Sequence, residues 1–410
     1  MNQAIDWKRN FFILWGGQFM AIAGLTVLVP LLPFYMEELG VKTMQSNQLW
    51  SGISLAAPAV SSAIASPFWG KLGDRFGRKL MVVRALFGLS ACLFLMAIVT
   101  SPLQFLFVRL FQGAFGGVVD ASSAFAGSEA PKEQRGKALG SLQGAVAAGS
   151  LSGPLLGGIF IDLYGFRPLL MVMGVLTGIG AIAAWFLLTE RNSSKNKVHF
   201  EKAKDSIFQT FADLLSHPRT RGFIIVGFAA NLAVFGLVTP LAPLVEKIAK
   251  SPDYAATWIG FLQAALWTAT LLSSPWWGKQ NDRSKVERNY MIATAICGIS
   301  VILQACSANV PALFAFRVLQ GLTFSALIQS VMLVVVQAST DYNRGARIGA
   351  TNSLLVCGQI VGSLTGALIT GIFKPEIAFL FMGIIFIGSA LLLLRGFTIS
   401  RVFLFRVNKR

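Results

Sequence analysis

The chain has 410 residues, 54% of them hydrophobic and only 13% charged. Soluble domains carry about 25% charged residues, so the composition weighs against a water-soluble core. The formal net charge of +17 would suit nucleic acid in a soluble protein, but the basic residues here fall in short loops between apolar runs, which points to membrane topology and no nucleic-acid partner.

In chain order the apolar runs lie near 11–35, 49–70, 80–100, 103–128, 138–162, 167–189, 220–244, 256–278, 290–308, 311–338, 346–372 and 376–398. Each is close to the roughly twenty residues that let a helix cross about 30 Å of hydrocarbon. The expected fold class is an all-α membrane protein with twelve transmembrane helices. The expected domains are a six-helix bundle over 1–189, a central linker over 190–219 and a second six-helix bundle over 220–410. Trp7-Lys8-Arg9 gives a basic start with no small-residue cleavage site after the first run, so that run is read as a retained helix.

Lys and Arg set the orientation. With the N-terminus inside, the inner loops hold Lys71, Arg75, Arg78 and Lys79; Lys132, Arg135 and Lys137; Arg191 to Arg221; Lys279, Arg283, Lys285 and Arg288; Arg344 and Arg347; and Arg401 to Arg410. The outer loops hold only Lys42, Arg167, Lys247, Lys250 and Lys374. Both termini are expected in the cytoplasm. The linker begins as a flexible basic stretch, Arg191 to Lys197, while Ile207 to Leu215 has apolar residues at helical spacing. That second part reads as an amphipathic helix on the membrane face or as a plain tether.

Cys92, Cys297, Cys306 and Cys357 lie inside apolar runs without CxxC spacing and read as small buried hydrophobes. His199 and His217 fall in the linker, so no His/Cys cluster suggests a metal. No cofactor is expected.

The two halves repeat. Ser66-Pro67-Phe68-Trp69-Gly70-Lys71-Leu72-Gly73-Asp74-Arg75, read as the start of a basic hinge loop running to Lys79, returns as Ser274-Pro275-Trp276-Trp277-Gly278-Lys279-Gln280-Asn281-Asp282-Arg283. Arg109-Leu110-Phe111-Gln112-Gly113 returns as Arg317-Val318-Leu319-Gln320-Gly321. Gly140, Gly149, Gly153 and Gly157 return as Gly349, Gly358, Gly362 and Gly366. Six helices plus six in parallel repeat is the plan of a transporter with its site between the halves.

On these motifs the sequence resembles the major facilitator superfamily, in particular its twelve-helix drug:proton antiporters. Gly70-x-Leu72-x-Asp74-Arg75-x-Gly77-Arg78-Lys79 is similar to that family's loop between helices two and three. Arg109-x-x-Gln112-Gly113 is similar to its helix-four motif, and Gly140-x8-Gly149-x3-Gly153-Pro154-x2-Gly157-Gly158 to its helix-five antiporter motif. The second half departs from the pattern at Ser363 and at Ser284-Lys285, which implies a weaker second hinge. The resemblance implies that Asp74 docks near Arg344 and Arg347 as a latch, with Gly70, Arg75, Gly77, Arg78, Asp282 and Arg283 as its other parts. The bland alternative is a tight basic turn.

Arg109 and Arg317 sit inside apolar runs, where a cation costs at least ~2.5–3.5 kcal/mol unless it faces a partner or a cavity. Asp120 follows Arg109 by eleven residues, three turns of one helix, which would set both on one face roughly 16 Å apart. Asp120 is either hydrogen-bonded structure or a carboxyl that takes up and releases a proton. Glu37 and Glu38 are rival proton sites or solvated interfacial groups. The glycines around Pro154 are either helix packing or a seam sealing a cavity against proton leak. Gln18, Phe19, Asn231, Phe235, Gln263, Trp267, Gln329 and Gln359 are expected, with both arginines and Asp120, to line a loosely specific pocket.

The function expected is proton-coupled antiport, exporting small organic molecules from a bacterial inner membrane by alternating access. Arg109, Asp120 and Glu37 are the coupling candidates, and a monomer in lipid is the working unit. It is not an enzyme, and no Walker-type loop suggests ATP drive. Three alternatives stay open: export of an anionic metabolite such as a carboxylate siderophore, proton-coupled nutrient symport, and a membrane sensor that transports nothing.

Overall fold

The computed structural model describes residues 2–131, 134–190, 207–249, 254–340 and 344–407. Among them every regular element is helical. The first span is built from α1 (Asn2–Val27), a 3-10 turn (Val29–Leu31) and α2 (Leu32–Glu38). The next two are α3 (Met44–Phe76) and α4 (Arg78–Ile98). Together α5 (Pro102–Phe115) and α6 (Val118–Glu129) make the fourth. Spans five and six are α7 (Arg135–Tyr164) and α8 (Phe166–Leu187), and α9 (Ile207–Ser216) is a short helix outside the spans. The seventh combines α10 (Pro218–Gly236) and α11 (Val238–Ala249). The remaining five are α12 (Ala255–Arg283), α13 (Val286–Ala305), α14 (Val310–Gln337), α15 (Arg344–Ile372) and α16 (Pro375–Val407). Among the described residues twelve spans are thus long and apolar enough to cross a membrane.

Local chemistry sets the helix ends. Ser101 accepts the Gln104 amide and Asn309 the Ala312 amide, each just ahead of a first-turn proline that has no amide to satisfy. Pro30 and Pro33 interrupt the first span. The hinge expected as a loop over Ser66–Lys79 is helix almost throughout. α3 continues to Phe76 and the reversal is made at Gly77, whose φ of +98° only glycine adopts freely.

The chain folds into two compact units, residues 1–198 with 249–264, and 199–248 with 265–410. In the first, Gly149, Gly153 and Gly157 let α7 lie against α1. A Cβ at Gly149 would come within 2.8 Å of the Phe19 carbonyl oxygen, and one at Gly153 within 2.6 Å of that of Ala23. In the second, Gly358, Gly362 and Gly366 do the same for α15 against Phe228, Leu232 and Gly236 of α10. The two units therefore solve one packing problem twice, by removing side chains where backbones meet.

Within the second unit α9 is docked. Phe211 and Leu214 pack with Ile224, Val335, Ala350 and Leu354. The cysteine reading needs correction: Cys92 and Cys297 are buried, but Cys306 and Cys357 are exposed. Cys306 lies past the last turn of α13, and Cys357 points off the Gly358 face that meets α10.

Gly153→Ala is expected to lower stability in detergent by ~1–3 kcal/mol, because its Cβ meets backbone and not a movable side chain. Gly140→Ala, with open space around it, is expected to leave the melting temperature unchanged or slightly raised. Thermal unfolding of the two variants side by side checks this.

Candidate functional site

Arg109 is 4% exposed. Its Nε donates to the Ser54 carbonyl at 2.9 Å and its Nη1 to Gln112 Oε1 at 2.7 Å. The acceptor on α3 has a local cause: Pro58 lies four residues after Ser54 and has no amide to give that carbonyl. Gly113, pressed against Pro58 and Ser61, brings α5 close enough for the guanidinium to reach it. In the second unit Arg317, also 4% exposed, donates from Nη1 to Gln320 Oε1 at 2.9 Å, and Gln304 donates to the same oxygen at 3.0 Å. Gly321 lies against Leu266 and Ala269, so the close approach and the Arg–Gln pair are repeated, while Leu266 stands where the first unit has Pro58. Arg109 ties α5 to α3, whereas the Arg317 bond to Gln320 lies within α14 and Gln304 ties α13 to it.

Asp120 does not share a helix with Arg109. The fourth span breaks at Gly116–Gly117, with Gly117 at φ +90°, so the face and spacing expected of one continuous helix do not apply. Asp120 lies in the first turn of α6, exposed, with no ion pair or hydrogen bond among the described residues. Beside the break stands Arg84, a cation inside the third apolar run that sequence reasoning passed over, although the same signal had singled out Arg109. Its Nη2 donates to the Gly116 carbonyl at 2.8 Å, and its guanidinium lies 3.7 Å over the Trp69 ring. Well away from span ends the charged groups are Arg84, Arg109 and Arg317 against Asp120.

Glu37 is exposed and accepts from Asn47 Nδ2 at 3.1 Å, while Glu38 pairs with Arg167 at 3.2 Å. Both sit at the end of the first span and link it to the first turns of α3 and α8.

The basic segment after α3 is organised by a carboxylate the sequence did not single out. Glu190 accepts the amides of Arg78 at 2.7 Å and Lys79 at 3.0 Å, capping the N-terminus of α4. A Cβ at Gly77 would lie 2.7 Å from Glu190 Oε2, so the glycine is needed for space as well as for backbone sign. Arg75 is exposed beside the Phe76 ring. Gly70 is a helical residue of α3, and the side chains of Asp74 and Arg344 lie outside the described residues. Arg347, named as an Asp74 partner, is engaged by Asp213 of α9 and the Ala338 carbonyl. Asp282 and Arg283 are exposed, and next to them Asn281, Asn289 and Ser330 form a neutral network.

Of the pocket candidates, Gln18 must be corrected. It is completely buried and donates to the Leu142 carbonyl at 2.9 Å, an α1–α7 bond with no open surface. Phe19 stacks on Trp15 with ring centroids 5.6 Å apart, and Asn231 donates back to Gly227 at 3.0 Å. Gln329 bonds Ser274. Phe235, Gln263, Trp267 and Gln359 are half-buried.

The glycine motif of α7 has two faces. Gly149, Gly153 and Gly157 meet α1, whereas Gly158 lies against Ala256 and Thr257 at the start of α12. Gly260 returns the fit against the Pro154 carbonyl. Asp162, also missed from sequence, accepts the Thr257 amide at 2.7 Å and caps α12. All these residues belong to the first unit. Gly140 has nothing within 4 Å of a would-be Cβ.

The family model "Major Facilitator Superfamily" matches residues 14–256 and 241–402. The chain belongs to the Major Facilitator Superfamily. As a superfamily member it is a transporter and not an enzyme. It is 53% identical to the "Staphyloferrin B transporter" of Staphylococcus aureus, over 96% of this chain and 94% of that one. It is 31% identical to "Multidrug resistance protein MdtG" of Proteus mirabilis, over 92% of each chain. A crystal structure of a bacterial homolog of the human lysosomal transporter Spinster, inward-facing and unoccupied, matches with TM-score 0.72 at 14% identity, covering 96% of this chain and 95% of that one. One of the human organic anion transporter MFSD10 matches with TM-score 0.66 at 18% identity, covering 94% and 99%. The superfamily fold of the solved structures is thus this chain's fold.

Glu190→Ala, which uncaps α4, is expected to cost ~0.5–2 kcal/mol in thermal unfolding. Glu190→Gln, which keeps one acceptor oxygen, is expected to recover part of it.

Proposed function

We propose that this chain is a proton-coupled antiporter of a bacterial inner membrane that exports an anionic carboxylate siderophore, staphyloferrin B being the first compound to test. The observation that carries the reading is the 53% identity to a staphyloferrin B transporter over nearly the whole of both chains. The in-span charge balance supports it. Three cations, Arg84, Arg109 and Arg317, against one carboxylate, Asp120, make the membrane interior of the protein net positive, which favours an anion over a cationic drug.

Asp120 is the proposed proton carrier. It is the one carboxylate well inside a span, it is exposed, and no cation among the described residues holds it in the charged form. In the proposed cycle Asp120 takes a proton from outside, the two halves (1–189 and 220–410) rock, and cargo binding from inside promotes proton release. One charge moving down the potential supplies ~2.3 kcal/mol per 100 mV. The bias of Lys and Arg supports cytoplasmic termini. A monomer suffices for this cycle. A second reading, multidrug-type efflux, is favoured by the likeness to MdtG at 31% identity.

In proteoliposomes, adding staphyloferrin B is expected to produce a pH change on the opposite side, and Asp120→Asn is expected to reduce it by about tenfold or more while substrate binding persists. Normal coupling in Asp120→Asn contradicts the proton assignment. Efflux of cationic dyes without response to staphyloferrin B favours the multidrug reading.

A further inference from the structure

The break in the fourth span leaves backbone carbonyls at the end of α5 without helical amides, at a depth where water is scarce. Two side chains take them. Trp69 Nε1 donates to Ala114 O at 2.6 Å, and Arg84 Nη2 donates to Gly116 O at 2.8 Å. The Arg84 guanidinium is itself laid 3.7 Å over the Trp69 ring, so the two form one clamp. Arg84 Nε and Nη1 are buried and have no hydrogen-bond partner among the described residues. A cation left so poorly matched has a weak case as a stability device, since leaving buried donors unpaired costs ~1–3 kcal/mol each.

The duplicated half supplies an internal control. At the 208-residue offset Trp69 corresponds to Trp277, whose Nε1 donates to Leu322 O at 2.7 Å, the counterpart of Ala114. That part of the clamp is common to both halves. The rest is not. Arg84 corresponds to Ile292, Gly116 and Gly117 to Phe324 and Ser325, and Asp120 to Ile328. There α14 runs unbroken from Val310 to Gln337. The arginine, the glycine pair, the break and the carboxylate therefore occur together in one half and are absent together from the other.

We infer that Arg84 is a positioning residue for Asp120: by holding the Gly116 carbonyl it keeps the fourth span broken and sets the direction of the first turn of α6, which carries that carboxylate. The inference rests on the reading of Asp120 as proton carrier for its consequence, but not for its geometry. Gly117 supplies the backbone sign for the turn, and the Gly117 carbonyl already accepts the Ala121 amide at 2.9 Å, so α6 starts immediately after it. Without Arg84 the Gly116 carbonyl has no other side-chain donor among the described residues, and the start of α6 is free to reorient.

The test uses the full chain in lipid, with Arg84→Ile (the residue of the other half), Arg84→Lys and Asp120→Asn. Hydrogen exchange of the peptide covering 113–121 is the readout independent of cargo. Exchange is expected to rise by about threefold or more in Arg84→Ile and to stay near the original in Arg84→Lys, which can still reach the carbonyl. Unchanged exchange in Arg84→Ile overturns the inference. Transport of staphyloferrin B is the second readout. Arg84→Ile is expected to lower the turnover of proton-driven export by about tenfold with KM within about twofold, and to add nothing in the Asp120→Asn background. Losses that add in the double variant overturn the link to Asp120. If the original chain moves no staphyloferrin B, the cargo reading falls and the exchange result alone decides the role of Arg84.

Discussion

A carbonyl or amide released from its helix inside a membrane has no water to turn to, and this constraint explains most of the polar chemistry in the protein. Pro58 frees the Ser54 carbonyl and Arg109 takes it. The Gly116–Gly117 break frees two more, taken by Trp69 and Arg84. The amide ends of α4 and α12 are taken by Glu190 and Asp162. In each of these places the released group meets a side chain from elsewhere in the fold, since an unsatisfied backbone group in the membrane costs several kcal/mol.

The same constraint sorts the charged groups by role. Arg109 and Arg317 are buried, and their hydrogen bonds to Ser54, Gln112 and Gln320 stay within their own units. Asp120 is different, being exposed and unbonded among the described residues. That lack of partners among the described residues is what the proposed proton-carrying role of Asp120 draws on. The two halves keep the Trp69 and Trp277 bonds in common and diverge at the carboxylate, so on the proposed reading the coupling group belongs to one half of a duplicated frame.

Much of the frame was legible in the sequence. Twelve apolar runs of spanning length, and a repeat carried by Arg-x-x-Gln-Gly and by four spaced glycines, are local or periodic signals. The site was less legible, for identifiable reasons. The relation of Arg109 to Asp120 failed because Gly117 takes a positive φ, which a count of residues per turn cannot register. Gln18 was misplaced because an amide in an apolar helix can serve a carbonyl of the next helix as well as a ligand. Glu190, Asp162 and Asp213 gain meaning only from partners far away in sequence. Arg84 was visible as a cation in an apolar run, yet its role depends on a break that the sequence did not announce.

The central claim is that cargo movement and proton movement are one event. The most direct measurement is the balance point in proteoliposomes: the staphyloferrin B gradient at which net flux stops, determined at several imposed pH differences. The account predicts that the balance point shifts in proportion to the pH difference. A gradient that always runs down to equality, whatever pH difference is imposed, would contradict it.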